Sequence, residues 1–127
     1  MISAKAPRGG LAEKLAGRSR KMILRNAEIE RFEDQHCGIF QAWDGFVGKS
    51  EKPTSTQVRD IVALGLIGAG MDDEKADALL DKLGPDQLPK LYAIAQGLIG
   101  VAFMPDAADE GETPADDAQG ADTEKKT

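Results

Sequence analysis

His36 and Cys37 are the only histidine and the only cysteine in the chain. An imidazole and a thiol are the side chains best suited to zinc ligation or nucleophilic catalysis, so either chemistry would have to begin here. The spacing opposes both. Adjacent residues seldom turn their side chains toward each other, no third His or Cys exists to complete a zinc shell, and no residue stands out as an orienting group. The pair reads as a polar helix end beside a small buried thiol. Two carboxylate groups come next. Glu30, Glu33 and Asp34 read as a solvated helix face, and Asp72, Asp73 and Glu74 suit the positive end of a helix. Neither has the alternating spacing of a calcium loop. The run Gly65-Leu66-Ile67-Gly68-Ala69-Gly70 has the wrong order for G-x-G-x-x-G, lacks G-K-[ST], and ends a helix instead of opening one. Close packing or a helix-ending turn accounts for its glycines. No catalytic, cofactor-binding or metal-binding residue is assigned, and the chain is not expected to be an enzyme.

The elements that would position any site are helical. Residues 1–10, with Pro7, Gly9 and Gly10, read as a flexible lead. Leu11 to Leu24 predicts a hairpin turning at Ala16-Gly17-Arg18, with a frayed helix as the alternative. Asn26 is the expected N-cap of a helix from Ala27 to about Gln35 that presents Ile29 and Phe32 and is broken by Gly38. Ile39, Phe40, Trp43, Phe46 and Val47 then mark one face of a second helix. Ser55 or Thr56 should cap a third, Gln57 to about Gly68. A fourth follows Asp72 or Asp73, with a stripe of Ala76, Leu79, Leu80 and Leu83. Gly84 suits its C-terminal cap, and Pro85 blocks its continuation. Asp86 should cap a fifth helix, running to about Phe103, with a seam of Leu88, Leu91, Ala95, Leu98 and Ala102. Its glycines, Gly97 and Gly100, imply a closely approaching backbone. The predicted fold is mainly α: a small bundle of about five helices over residues 11–104, a short N-terminal hairpin, and a disordered acidic tail over 105–127.

Helix three carries the strongest signal. Val58, Ile61, Val62, Gly65 and Leu66 form one face, while Ala63, Leu64 and Ile67 lie on the other. A helix apolar all round must be covered on two sides, by its own domain or by a partner; so small a fold offers little material for the cover, which points to a partner or a second copy.

Composition narrows the partners. The chain has 127 residues, a net charge of −6 and 41% hydrophobic residues, of which few are aromatic. This bounds it to one domain with an aliphatic core. Its acidity disfavours nucleic acid and anionic membranes. A lone cysteine fits a reducing compartment, no signal peptide is visible, and no apolar run is long enough to span a bilayer, so a cytoplasmic location is expected. Helices three and four resemble a helix-turn-helix in outline. However, residues 72–83 carry five acids against two lysines, the reverse of what phosphate contacts need. Charge is also polarised. Residues 1–31 hold eight basic and three acidic residues, whereas 105–127 hold eight acidic and two basic ones. Either both ends are simply solvated, or the ends attract each other and the tail shields a sticky surface.

Residues 26–34 (Asn-Ala-Glu-Ile-Glu-Arg-Phe-Glu-Asp) followed by Gly38-Ile39-Phe40 resemble the opening of the tail assembly chaperones of gene transfer agents and related long-tailed phages. Val58-Arg59-Asp60-Ile61-Val62, leading into Gly65 to Met71, looks like that family's second block, and the helices over 76–83 and 91–102 are similar to its closing helices. The resemblance implies a protein that coats the tape-measure protein and keeps it soluble before tail-tube subunits polymerise. The tail-tube protein would be a further partner, and no cofactor is implied. Phe40, Trp43, Phe46, Ile67, Leu98 and Phe103 are the expected core or partner-contact residues. The alternatives are a minor structural tail component and, more remotely, a small DNA-binding regulator.

Overall fold

The computed structural model describes residues 5–106. Its elements are β1 (Gly10–Leu15), β2 (Arg18–Ile23), α1 (Asn26–Gln35), α2 (Ile39–Phe46), α3 (Ser55–Gly68), α4 (Asp73–Asp81), a 3-10 turn (Pro85–Gln87) and α5 (Leu88–Phe103). The architecture is mainly α, with five helices and a two-stranded antiparallel hairpin. The expected tail lies outside the described residues from 107 onward, as do residues 1–4 of the expected lead. The described part of that lead holds a turn closed by the Gly10 N–H donating to the Pro7 carbonyl at 2.9 Å.

Of the two readings of residues 11–24, the hairpin forms. Its register runs from Gly10 opposite Ile23 to Leu15 opposite Arg18. Ala16 and Gly17 close it, with φ of 52° and 89°. Left-handed backbone at both central residues gives a two-residue turn the twist that paired strands need. Gly17 adopts it freely, whereas Ala16 does so against its preference. Leu15 and Met22 reach into the core at 1% and 0% exposure.

Several caps differ from expectation, each for a local reason. α1 starts at Asn26 with Arg25 in the cap position, because the Glu28 carboxylate reaches back and accepts from the Arg25 N–H at 3.0 Å. α3 begins at Ser55, and its cap is Thr54. The Gln57 N–H donates to Thr54 Oγ1 at 3.1 Å while the Thr54 N–H donates to Gln57 Oε1 at 3.0 Å, a reciprocal pair that neither Ser55 nor Thr56 could form. Gly84 is not a left-handed helix end: its φ is −83° and it precedes the 3-10 turn. Pro85 opens that turn, whose fixed φ suits a first helical position, so Asp86 lies within the turn and Gln87 occupies the cap position of α5.

α3 runs through the centre, packed by α5, β2, α4 and α1. Val58, Ile61, Val62, Ala63, Leu64 and Leu66 are all buried, and Ile67 is partly buried. The expectation that α3 leaves apolar surface for a partner is therefore overturned. The hairpin is the element that closes the remaining side: a Cβ on Gly65 would sit 3.3 Å from the Met22 Cβ, and one on Gly68 would collide with the Ile23 carbonyl oxygen.

Candidate protein-binding surface

α2 has two apolar faces. Ile39, Ala42, Gly45 and Phe46 are buried. Phe40, Trp43 and Val47 follow at i, i+3 and i+7 on another side of the helix, with Phe40 72% and Val47 38% exposed and Trp43 partly buried. The start of α2 is held by Glu33, whose Oε2 accepts from the Ile39 N–H at 2.9 Å. Glu33 thus does more than solvate its helix: it satisfies a donor at the end of the next one. The other end of α2 is held through Tyr92, whose hydroxyl donates to the Phe46 carbonyl at 3.3 Å and whose ring stands 4.9 Å from that of Phe46.

The C-terminal end of α5 completes the surface. The Phe103 ring lies 5.5 Å from that of Phe40, tilted by 32°, and 5.7 Å from that of Trp43 in an edge-on arrangement at 65°. Gly100 makes room for this: a Cβ there would stand 3.3 Å from the Trp43 ring. Gly97 likewise faces the Leu11 side chain at 3.2 Å. The neighbours of both glycines are side chains, not the approaching backbone that was expected. Met104, 53% exposed, follows Phe103 directly. Phe103 in contact with both Phe40 and Trp43, with Phe40 mostly in water, makes a patch of the kind that anchors protein partners.

The structure brings Phe40, Trp43 and Phe103 together and sends the other candidates elsewhere. Phe46 and Leu98 are core residues at 4% and 0% exposure. Ile67 lines a separate small cavity with Arg31, Asp60 and Asp77. Met104 had no sequence signal, since one methionine beyond a helix end belongs to no periodic pattern.

His36 and Cys37 serve different neighbours. His36 Nε2 is 2.6 Å from Asp60 Oδ2, while the Gln57 amide donates to Cys37 Sγ at 3.8 Å. Asp60 is an orienting carboxylate that the sequence, 24 positions away, did not reveal. The Cys37 thiol is pushed above its ordinary range by desolvation first and by the Glu33 charge second, which favours the neutral thiol over the nucleophilic thiolate. Among the described residues, no group of three or more His, Cys, Asp or Glu is placed to hold a metal ion, and no helix is long and apolar enough to cross a membrane.

A family model described as phage tail tube protein, GTA-gp10, matches residues 8–105, from the turn before β1 to the end of α5. No curated protein and no solved structure gives a match. The matched span takes in every described element and the whole aromatic patch, so the chain belongs to the phage tail protein family described as phage tail tube protein, GTA-gp10.

Proposed function

We propose that this phage tail protein acts as a non-enzymatic tail assembly chaperone in the cytoplasm, binding the tape-measure protein and keeping it soluble until tail-tube subunits polymerise around it. The observation that carries the reading is the aromatic patch of Phe40, Trp43 and Phe103, in which Phe103 lies against both other rings and Phe40 is 72% exposed. Rigid aromatic anchors contribute large contact area with little loss of side-chain freedom on binding. An amphipathic client helix would lay its apolar stripe against them. Co-expression with the tape-measure protein encoded in the same tail gene cluster is the test. The expected result is a soluble complex that co-elutes. Unchanged client solubility with no complex would refute the proposal.

The family description favours a second reading, a structural component of the tail. A tube subunit packed within and between rings needs complementary surfaces on more than one side. Among the described residues, the large exposed apolar side chains gather on α2 and its C-terminal cap and just beyond the end of α5. Mass spectrometry of purified particles separates the readings: a structural subunit is retained at fixed stoichiometry, whereas a chaperone is not.

A further inference from the structure

A second surface differs in chemistry from the aromatic patch. Between the hairpin turn and α4 lies a cavity of about 450 Å³ lined by Arg18, Arg20, Lys75 and Lys82 around Met71 and Leu79, with no carboxylate in its lining. A neighbouring cavity of about 530 Å³ shares Arg18, Arg20, Met71 and Lys75, and adds Lys21 and one carboxylate, Asp72. Together they form a basic groove on a protein whose net charge is −6. Arg20 is fixed in place: its Nε donates to the Leu15 carbonyl at 2.7 Å. Burial and the neighbouring Arg18 charge pull its guanidinium below its ordinary range. Like charges gathered this closely repel one another, and an anionic occupant relieves that repulsion.

The same chain carries anionic side chains beyond its last described residue. The last described residue, Asp106, pairs with Arg8 at 2.6 Å, which places the end of α5 beside the start of β1. Arg8 lies two positions before β1, and the hairpin turn stands at the far end of that six-residue strand, roughly 20 Å beyond the strand's start at about 3.3 Å per residue. Residues 107–127 carry Asp109, Glu110, Glu112, Asp116, Asp117, Asp122 and Glu124. A chain spans up to about 3.5 Å per residue, so Glu112 and the Asp116-Asp117 pair are within reach of the groove. We infer that the groove between β2 and α4 is the docking site of the chain's own acidic segment 112–117. The segment has no large apolar residue to fill the space between Met71 and Leu79. Its hold is therefore electrostatic, sensitive to salt, and open to displacement by a partner that offers both charge and an apolar anchor. This inference is independent of the chaperone reading, since it needs no client.

The test uses the full chain carrying Cys37→Ser and Ala115→Cys, with a nitroxide spin label at position 115. At low salt, about 20 mM, amide signals of Arg18, Arg20, Lys75 and Lys82 should broaden strongly while those of α2 do not, and about 500 mM salt should restore them. A second measurement leaves the domain unchanged. The amide shifts of the same four residues should move with salt in the wild-type chain. They should no longer do so in a variant with Asp109→Asn, Glu110→Gln, Glu112→Gln, Asp116→Asn and Asp117→Asn. Uniform or absent broadening, persistence at high salt, or salt-dependent shifts unchanged in the neutralised variant would overturn the proposal. So would broadening that arises only between separate spin-labelled and isotope-labelled molecules, which would make the occupant a second copy.

Discussion

Gly68 ends α3 where there is no space for a side chain. A Cβ there would collide with the Ile23 carbonyl oxygen of β2 and come within 3.0 Å of the Glu28 carboxylate. Backbone cannot yield as a flexible side chain does, so Gly68→Ala should displace the hairpin from α3. Overpacking of this kind costs about 1–3 kcal/mol, read as a lower denaturation midpoint in urea. An unchanged midpoint would mean that the hairpin and α3 are not tightly joined. The presence of a packing constraint is legible in the glycine run, because that run fits no phosphate-binding pattern and sits in apolar surroundings. Which neighbour imposes it is not legible. Ile23 approaches from 45 positions earlier in the chain, and nothing about either residue's type announces the contact. The same limit hid the His36–Asp60 pair.

At the scale of elements, the helices follow from apolar spacing and their ends follow from chemistry one residue away from where it was sought. Ile39 to Phe46 and Leu88 to Phe103 form as the periodicity requires. The start of α3 turns on Thr54, which precedes the residues whose types suggested a cap. Only the pairing of Thr54 with Gln57, three positions on, distinguishes it from Ser55 and Thr56. Thr54→Ala should cost about 1 kcal/mol of stability, and Ser55→Ala and Thr56→Ala much less, in thermal or denaturant unfolding. Equal losses at the three positions would reject the assigned cap. The hairpin was ambiguous for a related reason. Four of the six residues of β1 are not fully buried, so alternation is faint, and the left-handed Ala16-Gly17 turn carries the specification instead.

At the scale of the molecule, the expectation of surplus apolar surface on α3 fails because the rest of the fold covers that helix. α3 has the apolar circumference of a helix in need of cover, and the fold supplies that cover by wrapping β2, α1, α4 and α5 around it. α2, whose apolar residues read as one face, divides its aromatic residues between core and solvent: Phe46 at 4% exposure and Phe40 at 72%. A helical wheel gives the angle between those two residues but not which side the rest of the fold occupies. This division makes the proposed binding surface testable apart from stability. Phe40→Ser removes a ring whose described aromatic partner is Phe103. It should alter unfolding free energy by no more than about 1 kcal/mol. If the patch is the client surface, the same change should weaken tape-measure binding at least about tenfold, as loss of a central aromatic anchor does. Thr54→Ala provides the converse control, lowering stability while leaving affinity at low temperature unchanged. A client that binds Phe40→Ser as tightly as wild type would remove the aromatic patch from the mechanism, and with it the physical basis for reading this tail protein as a chaperone.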